Sequence, residues 1–506
     1  MMIDLNRDSR IPLYLQIVTQ VRALISRGAL NEGDRLPAHR ELATKLGVNR
    51  TTVITAYAEL AAEGLIRSRV GSGTFVSGVP ATRHRNAERE HMPLSPMPWS
   101  ALLTDHPRDE WLNGMLHVPE RPETIALAHS LPHTDLFPLD DFRRCTDSVL
   151  RKEGRTLLQL GSSEGYAPLQ RYLASQMTLS GINVQPDEVL ITNGCQQALD
   201  LLHQLFVRPG DEVAIENPTY PGALSVFCGK QSKYLSVPIC GTGLDLDVLE
   251  DLLAQRSPKL LYTIPSFHNP TGVTMNLAAR RRLIELAVKY RVPIIEDDIY
   301  GELRYDSAAL PSLKALDQHG LVIYLNSFSK IAFPGLRVGW ITAPRIVIEQ
   351  LAAVKRKSDL HTSLLAQAAL YEFAKRGLLT KHIKRARKAY AERRDTMLAA
   401  LECYFPEEAT WTKPTGGMGI WVQLPQSLST HQILIQSAQQ GVTFSPGEYF
   451  YASLPQPHMM RLSFTTAGPE AIEEAVKRLG AVIKAQLVNA KRQRGLRRAE
   501  GHQALV

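Results

Sequence analysis

Hydrophobic positions near the amino terminus follow a helical period. Between Leu13 and Ile25 apolar residues recur every three or four positions, which predicts a first helix. A second helix is predicted at about His39–Leu46, followed by a turn at Gly47-Val48. Asn49 is a suitable cap for a third helix that runs to about Glu63. Two short helices joined by a glycine-containing turn predict a helix-turn-helix.

Two short β-patterned segments follow the third helix. They cover Leu65–Arg69 and Gly73–Val76, on either side of Val70-Gly71-Ser72. This spacing is typical of a β-hairpin. The amino-terminal part is therefore predicted to be a winged helix-turn-helix.

A different pattern begins near residue 125, where continuous apolar runs alternate with helical periods. The runs are Val189–Thr192, Glu212–Ile215, Leu260–Thr263, Val292–Glu296 and Leu321–Tyr324, and a helix at Ala198–Leu205 follows the first of them. Strands that are apolar throughout are covered on both faces of their sheet, so we expect a large α/β domain. Ligand-binding groups in such sheets gather at the carboxyl ends of the strands.

A change in composition separates the two patterns. Seven prolines lie between Gly78 and Pro122, and residues 82–90 are polar, which indicates an extended linker. A chain of 506 residues is also longer than one core usually organises. We therefore predict a multidomain protein with a small domain at 10–77, a linker at 78–124, a large domain at 125–483 and a basic tail at 484–506.

The charge is concentrated at the two ends of the chain. The net charge is +8; residues 1–77 carry 10 Lys/Arg against 7 Asp/Glu, and residues 484–506 carry 6 against 1, so the rest is neutral. Basic ends around a neutral body suit a nucleic-acid binder with a separate sensing or catalytic body. For the tail alone, a solvated helix end is the alternative interpretation.

Several classes of protein are excluded by composition. With 44% hydrophobic residues the chain is neither collagen-like nor wholly disordered. We find no apolar run long enough for a membrane span and no apolar signal core after Met1. The five cysteines are scattered and never in C-x-x-C spacing, which argues against disulfides and a metal site. We expect a cytoplasmic protein without membrane contact.

The third helix of the small domain starts with side chains that suit DNA. Asn49, Arg50, Thr51 and Thr52 offer one cation and three short hydrogen-bonding groups at the end that a recognition helix presents to the major groove. Five basic residues are predicted to contact phosphates: Arg35, Arg40, Lys45, Arg67 and Arg69. A protein-docking module is the alternative, since small three-helix domains serve that purpose too.

The same segment resembles a known family. Gly33–Pro37, Arg40–Ala43, Leu46–Val48, Arg50–Val53 and Gly71–Val76 together resemble the winged helix-turn-helix of GntR-type bacterial transcription regulators over about residues 10–77. The resemblance implies double-stranded DNA as a partner. One departure is that the family commonly has serines where this chain has Ala38-His39.

Polar clusters lie at the ends of the predicted strands of the large domain. They are Thr192–Gln197, Asn217–Gly222, Asn269–Gly272, Glu296–Tyr300, Ser327–Lys330, Gly335–Arg337 and Met460–Phe464. Pyridoxal phosphate would use them all, because it needs a lysine, a carboxylate for its ring nitrogen, an aromatic face, donors for its ring oxygen and a phosphate cup. In this order the clusters resemble the aspartate-aminotransferase fold, which is fold type I of the pyridoxal-phosphate-dependent transferases.

That resemblance implies a role for each residue. Lys330 forms the internal aldimine, and Asp297 pairs with the pyridinium nitrogen. Asn269 and Tyr300 hydrogen-bond the ring oxygen, and Tyr220 stacks on the ring. The phosphate is surrounded by Gly194, Cys195, Gln196, Ser327 and Arg337. Arg461 binds the carboxylate of a substrate or effector. The family often has a hydroxyl residue in place of Cys195 and a tyrosine in place of Leu160.

Taken together, the two halves resemble the MocR group of transcription regulators. The resemblance implies a homodimer that reads paired DNA half-sites and senses an amino compound, or pyridoxal phosphate itself, through Lys330. Two alternatives remain open at this stage. In the first, the chain is a working aminotransferase whose DNA module is secondary. In the second, Lys330 binds the cofactor only for stability.

Overall fold

The structure, a computed structural model, describes residues 3, 5–7, 12–26, 28–62, 64–69, 73–77, 123–228, 232–306 and 308–503. It divides into two compact units, residues 1–103 and 104–506, which we call the small unit and the large unit. Residues 78–122, most of the predicted linker, lie outside the described residues. The predicted domain boundaries therefore stay predictions.

The small unit consists of three helices and a three-stranded antiparallel sheet. Its elements are α1 (Leu13–Ser26), β1 (Arg35–Leu36), α2 (His39–Leu46), α3 (Arg50–Ala62), β2 (Ile66–Arg69) and β3 (Gly73–Val76). The strands lie in the order β1-β3-β2, and Arg69 pairs with Gly73 at the tip of the hairpin. The predicted winged helix-turn-helix is confirmed, with β1 as a strand that the sequence pattern did not indicate.

The apolar periods of the three helices meet in one core. Ile17, Val21, Val53 and Leu60 have no exposed surface, which is the expected result of helical spacing on α1 and α3. The Asn49 side chain accepts a hydrogen bond from the Thr51 amide at 3.1 Å and so caps the start of α3, as predicted.

The large unit contains twelve helices among its described residues. They are α4 (Leu139–Leu157), α5 (Ala167–Leu179), α6 (Cys195–Phe206), α7 (Pro221–Cys228), α8 (Leu246–Gln255), α9 (Leu277–Tyr290), α10 (Leu313–Leu316), α11 (Arg345–Asp359), α12 (Leu364–Lys375), α13 (Leu378–Tyr404), α14 (Thr430–Gln439) and α15 (Pro469–Gln503). The basic tail is thus a continuation of α15 as far as Gln503. Within the described part of the chain, no helix is long and apolar enough to cross a membrane.

The strands of the large unit form one wide sheet and two smaller ones. They are β4 (Ile125–Ala126), β5 (Val189–Thr192), β6 (Glu212–Asn217), β7 (Lys233–Cys240), β8 (Gly243–Leu244), β9 (Leu260–Thr263), β10 (Ile294–Asp297), β11 (Val322–Ser327), β12 (Gly339–Thr342), β13 (Thr410–Trp411), β14 (Gly419–Gln423), β15 (Val442–Thr443), β16 (Ser445–Pro446) and β17 (Met459–Ser463). The wide sheet has the order β5-β12-β11-β10-β9-β6-β7-β8. Strands β7, β6, β9, β10 and β11 run parallel. All of them except β7 contain a predicted apolar run, and the remaining predicted run is β5, which pairs antiparallel with β12.

The smaller sheets attach the start of the large unit to its carboxy-terminal part. β13, β14, β17 and β16 form an antiparallel sheet, and β4 pairs with β15 in parallel. Ser463 N also donates to Leu127 O at 2.8 Å. Residues 125–127 are therefore held against the strand that carries Arg461.

The main differences from the sequence pattern lie at the ends of elements. α6 begins at Cys195, three residues before the predicted start, because its first turn is polar and has no apolar period. β10 begins at Ile294, directly after Pro293, which has no N–H to donate to a ladder. β11 continues to Ser327 and so reaches one of the predicted polar clusters.

A single hydrogen bond offers a test of the small unit. The Tyr57 hydroxyl donates to Pro37 O at 3.0 Å and ties α3 to the residues before α2. In the Tyr57→Phe variant we expect the opening free energy of α3 to fall by about 1 kcal/mol, the usual contribution of such a bond. Amide hydrogen exchange in peptides from α3 should then be about fivefold faster.

Tyr14→Phe is the matched control for this variant. Tyr14 lies on α1, and its hydroxyl makes no hydrogen bond within the described residues. Equal acceleration of exchange in both variants would contradict the assigned role of the Tyr57 bond.

Candidate functional site

The carboxyl ends of β5, β10 and β11 meet around one cavity, which we call the Lys330 cavity. Its volume is about 230 Å³. It is lined by His129, Ser130, Leu131, Cys195, Gln196, Tyr220, Asn269, Asp297, Ile299, Tyr300, Ser327, Ser329, Lys330, Arg337 and Arg461. Asp297 and Ser327 come from the carboxyl ends of parallel strands, where ligand groups of an α/β sheet are expected. Arg461 reaches the same cavity from β17 of a smaller antiparallel sheet.

Lys330 lies three residues beyond the end of β11. Its Nζ atom donates a hydrogen bond to Ser130 O at 2.7 Å. Burial lowers its pKa from 10.5 to about 8, and the charge of Arg461 contributes in the same direction. About a tenth of the amine is therefore neutral and nucleophilic at pH 7, far more than for a lysine with a pKa of 10.5.

Asp297, the last residue of β10, is 1% exposed. Its Oδ2 atom accepts a hydrogen bond from the Tyr262 hydroxyl at 2.9 Å, whereas Oδ1 has no partner among the described residues. Burial raises the pKa of Asp297 to about 7. A carboxylate in this state favours a cationic or N–H-bearing ligand atom, because such an atom satisfies Oδ1 and stabilises the charge.

The start of α6 forms a cup. Gly194 precedes the helix with φ +82°, and no side chain caps the first turn. Arg337 Nη2 donates to Asn193 O at 3.1 Å, and a Cβ atom at Gly194 would lie only 2.6 Å from the same nitrogen. Amide groups at a helix start together with a guanidinium provide a binding site for phosphate.

A buried ion pair holds this cup from behind. Asp359 Oδ2 accepts hydrogen bonds from Asn193 Nδ2 at 2.6 Å and from Gln197 Nε2 at 2.8 Å. The fully buried Lys355 pairs with the same carboxylate at 2.9 Å. The position of the α6 amide groups is therefore fixed by contacts outside the cavity.

Tyr220 forms an aromatic wall of the cavity. Its hydroxyl donates to Gln196 Oε1 at 3.3 Å, and burial raises its pKa to about 12. A Cβ atom at Gly222 would lie 2.5 Å from the Tyr220 ring, so glycine is needed at this position for the ring to occupy its place.

Arg461 on β17 is 4% exposed and has no carboxylate partner among the described residues. Nη1 donates to Asn269 Oδ1 at 2.8 Å, and Nη2 donates to Ala128 O at 2.6 Å and to Ser445 Oγ at 3.2 Å. Burial lowers the pKa of Arg461 to about 10, so it remains charged at neutral pH. A buried guanidinium without a counter-ion suits a ligand carboxylate.

Most of the predicted DNA-contact residues of the small unit are exposed. Arg35, Arg40, Arg50 and Arg67 are exposed, and so are Asn49 and Thr51, whereas Thr52 is half-buried. Nothing is described of the Arg69 side chain. The side-chain oxygen of Asn49, Oδ1, accepts hydrogen bonds from the amide and the hydroxyl of Thr51 and so caps α3. Ala38 precedes α2 without any side-chain cap, which is the consequence of the missing serine.

Comparison with known proteins confirms the family resemblance of both halves of the chain. Residues 13–76 match the family of bacterial regulatory proteins of the gntR type, and residues 132–479 match the class I and II aminotransferases. A probable rhizopine catabolism regulatory protein, MocR of Rhizobium meliloti, is 32% identical over 489 residues, covering 96% of each chain. The chain belongs to the MocR-type transcription regulators.

Two further relatives of this MocR-type chain resemble its large unit alone. Aromatic-amino-acid aminotransferase 1 of Thermococcus litoralis is 40% identical over 74% of this chain and 92% of its own length. The α-aminoadipate aminotransferase LysN of Thermus thermophilus, solved with N-(5'-phosphopyridoxyl)-L-leucine, has a TM-score of 0.73 at 37% identity and covers 78% of this chain and 100% of its own. The fold of the large unit is that of the fold-type I aminotransferases, and its cofactor is pyridoxal phosphate.

The Lys330 cavity of the MocR-type chain fits this cofactor. Asp297 Oδ1, without a partner, would accept a hydrogen bond from the ring nitrogen. The cup at Gly194 and Arg337 suits the phosphate, Tyr220 suits the ring, and the amine of Lys330 suits the aldehyde. Each chemical requirement of the cofactor is met by a different residue.

The structure brings together nearly all cofactor residues that the sequence predicted. Nine of them line the cavity, and Gly194 lies at the cup beside Arg337. Their individual roles toward the cofactor stay predictions. Leu160, at the position where many relatives have a tyrosine, is 77% exposed.

Several residues at the site received no role from the sequence pattern. Ser329 accepts from Ser327 Oγ at 2.9 Å, and its place directly before Lys330 was an available signal. Tyr262 does not line the cavity but donates to Asp297 Oδ2, and its place within an apolar strand gave no signal. His129, Ser130 and Leu131 reach the cavity through the pairing of β4 with β15, which no local pattern indicates.

The three acidic residues at the end of β10, Glu296, Asp297 and Asp298, lie in different environments. Glu296 is fully buried, and its carboxylate accepts from the amides of Leu313 and Lys314, both at 2.8 Å. Glu296 therefore caps α10. Of the three acidic residues, only Asp297 lines the Lys330 cavity.

The lowered pKa of Lys330 gives a pH prediction. Only the neutral amine attacks an aldehyde, so the rate of covalent pyridoxal phosphate attachment to the apoprotein should rise as pH passes through about 8. An unperturbed lysine would give this rise near 10.5. The growth of the visible absorbance of the attached cofactor measures the rate.

Two variants control this measurement. Lys330→Ala should show no attachment. Arg461→Met should shift the inflection to higher pH, because it removes a positive charge that lowers the pKa of Lys330. An inflection above pH 10 in the unmodified chain would refute the assignment.

Proposed function

We propose that this regulator senses a small amino acid in the Lys330 cavity and changes its DNA affinity in response. The observation that carries the proposal is the double role of residues 128–130. Ala128 O accepts a hydrogen bond from Arg461 Nη2, and Ser130 O accepts one from Lys330 Nζ. The two groups that suit a carboxylate and an aldehyde are thus held by one backbone segment.

Ligand binding changes both of these contacts. A carboxylate is a stronger acceptor for a guanidinium than a backbone carbonyl, so it competes with Ala128 O for Arg461. Pyridoxal phosphate would supply an aldehyde for a link to the Lys330 amine, and this link would remove the ammonium group from Ser130 O. An amino compound that took over the link would release the Lys330 amine again, so the contact with Ser130 O would differ between the cofactor-loaded and the ligand-bound states.

The ends of the segment keep other anchors. Leu127 N donates to Thr443 O at 2.8 Å, and the Thr465 hydroxyl donates to Leu131 O at 2.8 Å. Ser445 Oγ also donates to Ala128 O. A change at the two cationic contacts therefore acts mainly on residues 128–130, a few positions after the predicted linker. We propose that this change reaches the DNA-binding unit along the chain through residues 78–122.

The rest of the proposal concerns assembly and location. We propose a cytoplasmic homodimer whose two small units read paired half-sites on double-stranded DNA. Leu158 and Leu160, both exposed just after α4, support a self-association surface, and the five free cysteines support a reducing compartment.

A direct test follows DNA affinity during ligand titration. With cofactor-loaded protein and the DNA upstream of its own gene, one amino acid of a panel should change the affinity by about 5- to 150-fold, the usual range of allosteric coupling. In Arg461→Met the response should be lost, because the carboxylate has no counter-ion. Fluorescence anisotropy of labelled DNA measures the affinity.

An active aminotransferase is the second candidate function, favoured by the complete cavity and by the enzyme relatives. It predicts rapid conversion of the cofactor to its amine form and release of a keto acid, with no effect on DNA binding. Turnover at about 10 s⁻¹ is ordinary for an enzyme. Such turnover, together with unchanged DNA affinity, would overturn the sensing proposal.

A second prediction concerns the exposed arginines of the small unit. Arg50→Ala should lower the discrimination between operator and unrelated DNA by about 1–3 kcal/mol, since Arg50 lies at the start of α3. Arg67→Ala should weaken binding to all sequences alike and reduce the salt slope by about one unit.

Arg143→Ala is the matched control for both arginine variants. Arg143 is an exposed arginine on α4 of the large unit, so its removal changes the net charge equally. If Arg143→Ala weakens DNA binding as much as Arg50→Ala, the effect is one of net charge and the contact assignment is wrong.

A further inference from the structure

Side chains alternate across the ends of β10 and β11. Asp297 and Ser327 line the Lys330 cavity, whereas their neighbours Asp298 and Asn326 line another cavity. Tyr324, two residues before Asn326, lies on the same side as Asn326. This alternation is the normal period of a strand. The second cavity, which we call the Asp298 cavity, is therefore separated from the Lys330 cavity by the thickness of the sheet.

The Asp298 cavity is large enough for a small molecule. Its volume is about 690 Å³. This lies within the roughly 300–1,000 Å³ typical of ligand pockets. Its walls combine apolar residues with two acidic residues, Asp298 and Glu302, and two basic residues, Arg280 and Arg304. The proposed sensing reaction makes no use of this cavity.

The carboxylate of Asp298 is incompletely satisfied. Oδ2 accepts a hydrogen bond from the Tyr324 hydroxyl at 3.0 Å, but Oδ1 has no partner among the described residues. The positive charge of Arg280, which shares the cavity wall, partly offsets the rise that burial causes in the pKa of Asp298. The guanidinium of Arg280 donates its hydrogen bonds to Met275 O, Pro311 O, Pro265 O and Ser266 Oγ.

Arg304 is the complementary group. It is half-buried, and its Nη1 atom donates to Gly301 O at 3.1 Å. Among the described residues it forms no ion pair. The nearby Glu302, which also lines the cavity, is paired with Arg387 at 2.7 Å. Arg304 is therefore available for an anionic group of a ligand.

The two charged groups lie on either side of one residue. A Cβ atom at Gly301 would be 2.5 Å from Asp298 Oδ1, and the Gly301 carbonyl contacts Arg304. We propose that the Asp298 cavity binds an α-amino acid, with its ammonium group at Asp298 and its carboxylate at Arg304. Opposite charges close together in the site match the opposite charges of a zwitterion.

Hydrogen bonds connect this cavity to the cofactor side of the sheet. Asn326 Nδ2 donates to the Tyr324 hydroxyl at 2.7 Å, and Ser327 N donates to Asn326 Oδ1 at 2.7 Å. Ser327 lines the Lys330 cavity. An occupant of the Asp298 cavity is therefore positioned to alter the cofactor site. Binding itself does not depend on sensing at Lys330.

The test titrates amino acids into full-length protein whose cofactor has been fixed on Lys330 by borohydride reduction. Calorimetry with glycine, L-alanine and L-glutamate should detect one site per chain for at least one of them. Acetate and methylamine carry one charge each, so each lacks one of the two charged hydrogen bonds and should bind at least about tenfold more weakly than the amino acids.

Variants assign the binding to the cavity. Asp298→Asn and Arg304→Gln should each weaken it by about tenfold or more. Asp251→Asn, an exposed position on α8, should leave it unchanged. Arg304→Gln leaves the bond between Asp298 and Tyr324 in place, so it is informative even where Asp298→Asn impairs folding. The unfolding temperature of each variant reports on folding.

Three outcomes would overturn the proposal: no binding of any of the three amino acids, binding in both cavity variants as strong as in the unmodified chain, or binding that only Arg461→Met abolishes. The last result would place the ligand in the Lys330 cavity. If borohydride fixes no cofactor, the proposed function fails at that step, and the same titration of the untreated chain still tests the Asp298 cavity.

Discussion

Charged side chains buried without ion-pair partners are the constraint on which the large unit depends. Asp297 and Arg461 are 1% and 4% exposed, and transfer of such groups out of water is costly. The polypeptide compensates with hydrogen bonds, from Tyr262 to Asp297 and from Arg461 to Asn269 and Ala128. The compensation is incomplete, since Asp297 Oδ1 and Arg461 Nε have no partner among the described residues. A ligand with the opposite charge removes the remaining cost, so the site is selective for charged ligands.

The two-residue period of the strands extends this constraint to both sides of the sheet. Consecutive carboxylates at 297 and 298 cannot face the same cavity, so one contacts the cofactor side and the other the opposite side. Each charge also acts on its neighbour, and Asp298 is one of the groups that raise the pKa of Asp297. A change of charge at Asp298 is therefore felt at the group that holds the cofactor ring.

The sequence was sufficient for most of the fold and for the chemistry of the main site. Apolar periods located the three helices of the small unit and the parallel strands, because burial on one or two faces determines both patterns. The polar clusters around Lys330 and Asp297 followed from their position after those strands. Residues 128–131 could not be found in this way, because they reach the site through long-range pairing of β4 with β15. The Asp298 cavity was equally hidden, since the sequence shows adjacent aspartates but not that they face opposite sides.

The backbone contacts of residues 128–130 set a scale for what a ligand can transmit. Hydrogen bonds to charged donors contribute about 1.5–3 kcal/mol each, and two of them hold this segment. Allosteric coupling between sites is typically about 1–3 kcal/mol. New contacts of the ligand offset part of the hydrogen-bond energy that the segment loses. Only the difference in free energy between the ligand-free and the ligand-bound states can shift their populations. Even half of the energy of these two bonds reaches the range needed for regulation, so the segment has enough contact energy to couple the cofactor site to the chain that precedes it.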